Sequence, residues 1–194
     1  EIAQCLVGSE MCIRDRQGAD IVVAGMPSNS TLPGETAAQM RASILFCAPL
    51  LARLGRAETS LPGGCNIGAR PIDLHLEGLA RMGAKELDAG AGKLVLAAPG
   101  GLHGADITLR FPSVGATETL LLAAVCARGT TVLRGAAREP EISDLAEFLN
   151  RCGGRIEGAG TSTLRIEGRR GLSGCDFSPV SYTHLRAHET LSDL

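Results

Sequence analysis

An internal repeat of about 70 residues constrains the fold of this chain more than any other feature of its sequence. Glycines, apolar residues and one aspartate recur at this offset: Gly83 and Gly153, Leu94 and Leu164, Leu96 and Ile166, Gly101 and Gly171, Leu102 and Leu172, Gly104 and Gly174, Asp106 and Asp176. Recurrence at a fixed spacing indicates similar supersecondary units that bury their faces against one another. The sequence therefore predicts a domain assembled from copies of one unit.

Each copy contains an amphipathic helix followed by short strands. Apolar residues recur close to a 3.6-residue period over 74–82 and 142–149, and Gly83 and Gly153 then end the predicted helices. Alternating runs over 93–97 and 163–167 predict strands, and a glycine-rich turn leads to a further strand around 106–109.

A second helix in each copy is apolar on nearly all sides. The segments 44–54 and 119–127 have this composition, and a helix that is apolar all round has to be buried all round. The predicted strands, with one face exposed to solvent, then lie outside these helices. The expected fold class is α+β, with helices inside and sheets outside, which is the reverse of an ordinary α/β barrel.

Size and charge exclude several classes of protein. A chain of 194 residues is long enough to bury a sizeable core, and its net charge of −2 gives no bias towards nucleic acid. No apolar run reaches the roughly 18 residues that a membrane span needs. Seven cysteines without a CxxC pair argue against a zinc site and a disulfide framework. We expect a cytoplasmic protein that binds neither membrane nor nucleic acid.

One cysteine differs from the others in its surroundings. Cys65 lies in the loop Leu-Pro-Gly-Gly-Cys-Asn-Ile-Gly-Ala-Arg, where glycines allow close approach to a ligand and Arg70 favours the thiolate. Cys47, Cys126 and Cys152 lie in apolar or helix-like stretches and are expected to pack as small hydrophobic residues.

Four motifs in register carry a family resemblance. They are the Cys65 loop continuing into Arg-Pro-Ile-Asp-Leu, Met-Arg-Ala-Ser at 40–43, Ser-Val-Gly-Ala-Thr at 113–117 and Ala-Arg-Glu-Pro-Glu-Ile at 137–142. Together they resemble the enolpyruvyl transferase family, in its UDP-N-acetylglucosamine branch. The resemblance implies an inside-out domain of three βαβαββ units. This chain holds about two of them and a fraction, so the predicted domain is incomplete.

The resemblance also implies a reaction and a catalytic residue. The enolpyruvyl group of phosphoenolpyruvate is expected to pass to the 3-hydroxyl of UDP-N-acetylglucosamine by addition and elimination, with release of phosphate. Cys65 takes the place of the general acid that protonates the enol carbon, and the epoxide fosfomycin is expected to alkylate it. Arg41 and Arg70 match family positions whose guanidinium groups bind the phosphate and carboxylate oxygens of phosphoenolpyruvate. No cofactor and no metal are expected.

Two segments match the nucleotide-binding positions of the family. The first, expected to line the uridine, comprises Arg70, Pro71, Ile72, Asp73 and Leu74. The second, expected to face the diphosphate, comprises Phe111, Pro112, Ser113, Val114 and Gly115. Each also has a purely structural interpretation, since proline with an early aspartate begins many helices and serine is a favoured N-cap. Some relatives carry lysine where this chain has Phe111.

Both ends depart from the family pattern. We expect residues 1–17 and 178–194 to be non-family tails, disordered or foreign to the protein, around a partial enolpyruvyl transferase domain at 18–177. His184 and His188 have the i, i+4 spacing of metal ligands, but no third ligand accompanies them.

The resemblance implies that the general base comes from a second domain of the family, for which we expect no counterpart in these 194 residues. That second domain of the same enzyme is the expected protein partner. The chain alone is expected to have negligible transferase activity. Three alternatives stay open: the related transferase acting on shikimate 3-phosphate, a non-catalytic UDP-sugar binder or misassembled fragment, and a thiol redox protein.

Overall fold

The computed structural model describes residues 13–17, 20–25, 27–60, 72–88, 92–169 and 171–179. Its helices are α1 (Gly34–Gln39), a 3-10 helix (Arg41–Phe46), α2 (Cys47–Leu54), α3 (Asp73–Arg81), α4 (Val114–Cys126) and α5 (Pro140–Arg151). Its strands are β1 (Ile13–Gln17), β2 (Asp20–Ala24), β3 (Arg56–Ser60), β4 (Lys85–Asp88), β5 (Lys93–Ala97), β6 (Asp106–Thr108), β7 (Thr130–Arg134), β8 (Arg155–Glu157) and β9 (Thr163–Glu167).

The strands form three sheets in which the predicted repeat is visible. The antiparallel sheet β3-β5-β4 has the same order as β7-β9-β8 in the next unit, where β6 joins β7 in parallel. In the first unit, a parallel bridge joins Thr31 to Glu58 of β3. This bridge occupies the position that the β6–β7 pair has in the second unit. The second unit therefore runs βαβαββ, and the first repeats all of it except a full first strand. Strands β1 and β2 form a separate antiparallel pair.

Helix ends recur at the same offset as the strands. Gly83 and Gly153 follow α3 and α5 with positive φ angles of 94° and 95°. The amide of Ala84 donates to the carbonyl of Leu79 at 3.0 Å, and Gly154 donates to Leu149 at 2.9 Å. A left-handed residue after the last turn is the usual glycine stop of a helix. The structure confirms both predicted helices and their ends.

Helix α4 lies at the centre of the domain. It contacts α2, α3, α5, the 3-10 helix and β9, and eight of its thirteen residues are buried. Strands β7 and β9 alternate between exposed and buried side chains, so their sheet covers the helices with one face. The predicted arrangement of helices inside and sheets outside is confirmed, and the described residues form no closed barrel.

The two apolar helices begin at other residues than expected. Instead of one regular helix over 44–54, a 3-10 helix runs to Phe46 and α2 starts at Cys47. Pro49 explains this start, because proline has no N–H and fits only the first turn of an α-helix. Helix α4 starts at Val114 rather than at 119, since Ser113 caps it.

The three cysteines expected to pack as small hydrophobic residues do so to different degrees. Cys47 and Cys152 are buried in the core, with exposed fractions of 0% and 6%. Burial raises the pKa of the Cys47 thiol to about 12, so it stays protonated. Cys126 is only half-buried. Within the described ranges, no helix is long and apolar enough to cross a membrane.

Candidate functional site

Four of the predicted site residues cannot be located in full. Cys65, Arg70 and Pro71 lie outside the residues that the structure describes, as do His184 and His188. The backbone of Arg41 begins the 3-10 helix, but its side chain is also outside the description. The expected grouping of the Cys65 thiol with these guanidinium groups therefore stays a prediction.

The end of the uridine segment forms the start of α3. Ile72 precedes the helix, Asp73 is its first residue and Leu74 is buried beneath it. The guanidinium of Arg110 contacts the Asp73 carboxylate and also lies 3.3 Å from Glu77 Oε1. The hydrogen bond from Arg110 lowers the pKa of Asp73. Asp73 is thus held ionised, with its carboxylate oriented by Arg110.

The diphosphate segment forms the start of α4. Ser113 is the N-cap and its hydroxyl accepts a hydrogen bond from the Ala116 amide at 3.4 Å, as the serine preference predicts. Val114 and Gly115 occupy the first turn, where backbone N–H groups have no carbonyl partner within the helix. Phe111 is 53% exposed beside them, and Pro112 is exposed as well. Such a helix start favours bound anions.

A buried histidine joins the two segments. His75 Nδ1 lies 2.8 Å from Thr119 Oγ1, and both side chains are buried. A Cβ atom on Gly115 would lie 3.2 Å from His75 Cε1, so a glycine at this position leaves room for the imidazole ring. The contact fixes the first turn of α4 against the first turn of α3. The structure therefore brings Asp73 and the Ser113–Gly115 turn to one edge of the domain.

A third segment ends at the same place. Thr117 Oγ1 accepts a hydrogen bond from the Ala137 amide at 3.0 Å in the buried layer below α4. Ala137 begins the Ala-Arg-Glu-Pro-Glu-Ile motif, which continues through Glu139, the residue before α5, into that helix. Parts of three of the four family motifs therefore lie close together around the start of α4.

Arg110 and His75 are the residues of this edge that sequence reasoning missed. Arg110 directly precedes Phe111, and it places a positive charge close to the start of α4. His75 directly follows the uridine segment, and a polar residue in an otherwise apolar helix face was the available signal. Neither pairing follows from spacing, because the partners are 37 and 44 residues apart.

The Glu118 carboxyl lies in this region and gives a pH-dependent prediction. Burial raises its pKa, and the negative charge of Glu141 adds to the rise. A carboxyl that binds protons more tightly in the native state stabilises the fold at acid pH, and this contribution is lost as pH rises through its native pKa. We expect Glu118→Gln to raise the melting temperature by about 1–3 °C at pH 7 and to change it little at pH 4.

Thermal unfolding at both pH values checks this expectation, with Glu86→Gln on the exposed strand β4 as the control. An equal change for Glu118→Gln at pH 4 and pH 7 would count against the buried carboxyl.

A cavity of about 250 Å³ elsewhere in the domain is not part of this site. It lies between α3 and strands β4 and β5, lined mainly by Leu76, Leu79 and Leu96. In the next unit the Asn150 side chain accepts a hydrogen bond from the Ile156 amide and donates one to the Ile156 carbonyl. The lining is apolar and offers little to a phosphate. Among the described residues, no three His, Cys, Asp or Glu side chains are placed to hold a metal.

The fold and this edge together define a class of protein. It is an inside-out α/β domain of βαβαββ units, with the starts of two helices, a carboxylate and an arginine gathered at one edge.

Comparison with known proteins identifies the family within this class. The family model described as EPSP synthase (3-phosphoshikimate 1-carboxyvinyltransferase) matches residues 7–180, and the chain belongs to this enolpyruvyl transferase family. The resemblance inferred from the motifs is confirmed. The match begins within the predicted N-terminal tail, where β1 also lies. The boundaries proposed at 17/18 and 177/178 stay predictions.

Curated relatives are similar over most of the chain. The UDP-N-acetylglucosamine 1-carboxyvinyltransferase of Acidiphilium cryptum is 50% identical over 173 residues, which are 89% of this chain and 41% of that protein. The enzyme of the same name from Granulibacter bethesdensis is 51% identical over 166 residues, with 86% and 39% covered. The chain thus spans about two fifths of the length of these relatives.

Solved structures show the same fold at lower identity. The enolpyruvyl transferase NikO from Streptomyces tendae matches with a TM-score of 0.72 and 24% identity, covering 92% of this chain and 43% of that one. EPSP synthase from Acinetobacter baumannii matches with a TM-score of 0.66 and 17% identity, with 89% and 40% covered. At these identities the likeness concerns the fold alone.

Proposed function

We propose that the protein to which this chain belongs transfers the enolpyruvyl group of phosphoenolpyruvate to the 3-hydroxyl of UDP-N-acetylglucosamine. Relatives of about 50% identity bear the name of that activity, while the shikimate branch is matched at the level of the family and the fold. The observation that carries the proposal is the meeting of Asp73, Arg110 and the Ser113–Gly115 turn at one edge.

The nucleotide would bind along this edge. In the proposal Asp73 accepts hydrogen bonds from the uracil ring, and Arg110 keeps that carboxylate ionised and oriented. The diphosphate lies at the start of α4, where the amides of Val114 and Gly115 and the helix dipole favour negative charge. The buried pair of His75 and Thr119 keeps the two subsites at a fixed separation.

The reacting groups would lie at the Cys65 loop. In the proposal the Cys65 thiol protonates the enol carbon, while a base of the second domain takes the proton of the sugar hydroxyl. Arg41 and Arg70 hold the phosphate and carboxylate of phosphoenolpyruvate. Addition followed by elimination then releases phosphate. In the proposal the product serves peptidoglycan precursor synthesis in the cytoplasm.

Ligand titration of this chain tests the proposal. We expect isothermal titration calorimetry to show saturable binding of UDP-N-acetylglucosamine and none of shikimate 3-phosphate. Arg110→Ala is expected to weaken UDP-N-acetylglucosamine binding about tenfold, because the Asp73 carboxylate loses the charged partner that orients it.

Arg155→Ala is the matched control. Arg155 is a comparably exposed arginine paired with Glu167, on the strand of the sheet that is farthest from β6. Its substitution is expected to leave binding unchanged. Saturable binding of shikimate 3-phosphate, or an equal loss of affinity in both arginine variants, would contradict the proposal.

A further inference from the structure

Two cysteines that are distant in the sequence lie in contact at the end of α5. Cys152 directly follows the helix, Cys175 lies in the segment 171–179, and their Sγ atoms are 3.3 Å apart. Neither is joined in a disulfide. A disulfide has an S–S length of about 2.05 Å, so a small movement of the two side chains would bring the sulfurs to bonding distance.

The fold places these two positions together and holds them there. The Ser173 amide donates to the Cys152 carbonyl at 2.8 Å, as the His103 amide donates to the Met82 carbonyl at 3.0 Å one repeat earlier. The equivalents in the first unit are Met82, which is buried in the core, and Ala105, which is partly buried against it. The thiol pair thus occupies a junction that recurs in both units.

Aromatic contacts fix the segment next to the thiols. The ring of Phe177 meets the ring of Phe148 edge to face, with centroids 5.3 Å apart, and the Arg151 guanidinium lies 5.3 Å from the centre of the Phe177 ring. Cys175 is therefore held against the end of α5 by contacts of Ser173 on one side of it and of Phe177 on the other. Restricted motion of this kind raises the effective concentration of one thiol at the other.

We propose that Cys152 and Cys175 form an oxidation site that closes to an intramolecular disulfide when a low-molecular-weight disulfide is the oxidant. The partly exposed Cys175 attacks the reagent as its thiolate, forms a mixed disulfide and releases one reagent thiol. Cys152 then attacks the Cys175 sulfur and releases the second. Two protein thiols are oxidised, the reagent disulfide is reduced to two thiols, and the two protein protons pass to them.

Burial and the neighbouring sulfur disfavour Cys152 as the first of the two thiols to attack the reagent. Burial raises the pKa of the Cys152 thiol to about 11, and the contact with Cys175 adds to the rise. The closed bond would tie the segment 171–179 to α5. Nothing in this inference depends on the proposed transferase function.

Oxidised glutathione is the probe for the experiment. The full chain is incubated with it, remaining thiols are alkylated, and proteolytic peptides are mapped by mass spectrometry. We expect the peptide pair joined through Cys152 and Cys175 to form at least ten times faster than any pair containing Cys126. The oxidised chain is also expected to melt several degrees higher than the reduced chain.

Cys126→Ser serves as the control and should form the same disulfide at the wild-type rate. Cys175→Ser should abolish it and leave Cys152 as a free thiol. Absence of the Cys152–Cys175 peptide from the oxidised wild-type chain would overturn the proposal, and so would its formation at the rate of the Cys126 pairs. Because both results come from the wild-type chain, they stand even where a variant fails to fold.

Discussion

Gly104→Ala is expected to lower the free energy of unfolding by about 3 kcal/mol, since the added methyl group has no space. A Cβ atom on Gly104 would lie 2.2 Å from the Thr130 carbonyl oxygen and 2.7 Å from the Thr130 amide nitrogen. These are backbone atoms of β7, so no side-chain rotation relieves the contact. The Gly104 amide also donates to the Arg128 carbonyl at 2.7 Å. The segment around Gly104 and the start of β7 would therefore have to move apart. Urea denaturation measures the change.

The repeat supplies a matched control for this substitution. Gly174 occupies the equivalent position one unit later, and a Cβ atom there would meet nothing within 4 Å. Gly174→Ala is therefore expected to change stability by less than about 0.5 kcal/mol. Similar losses in the two variants would mean that the glycine matters for its conformational freedom and not for the packing of β6 on β7.

Gly78→Ala is expected to cost about 2 kcal/mol of stability, because it separates α3 from α4. A Cβ atom on Gly78 would lie 2.4 Å from Leu120 Cδ2 and 3.0 Å from its Cγ. Leu120 is fully buried, so its side chain has no free space into which to turn. Removing that side chain in Leu120→Ala leaves a cavity and is expected to cost about 3–4 kcal/mol.

The double variant separates the clash from the cavity. With Leu120 shortened, Gly78→Ala no longer meets an obstacle and gains up to about 1 kcal/mol as the better helix former. We expect the double variant to be at least as stable as Leu120→Ala alone, in a full double-mutant cycle followed by urea denaturation. A purely additive loss would contradict close packing of these helices. Gly100→Ala, where a Cβ atom meets nothing within 4 Å, is the control.

This helix contact also supports the candidate site. Gly78 lies one turn after His75 on α3, and Leu120 directly follows Thr119 on α4. The close approach that the glycine allows keeps the His75–Thr119 hydrogen bond at 2.8 Å. Stability and ligand affinity are therefore expected to fall together in Gly78→Ala.

The local pattern of the sequence predicted the elements well. The 70-residue repeat, the glycine stops at Gly83 and Gly153, and the strands at 93–97 and 163–167 all appear in the structure, although only the second strand alternates between exposed and buried side chains. The glycine stops and the strands depend on residues a few positions apart, and their physical causes act within one turn or one strand. Starts of helices were less accurate, because Pro49 and the Ser113 cap shift them by several residues.

The sequence by itself determined the unit, its repetition, the burial of the apolar helices and, through family motifs, the segments of the site. Tertiary structure alone decided that Arg110 orients Asp73, that His75 joins α3 to α4, and that Cys152 meets Cys175. The reason is physical. Periodicity reports which face of an element is apolar, whereas contacts between residues 23 to 44 positions apart depend on how whole helices and strands pack.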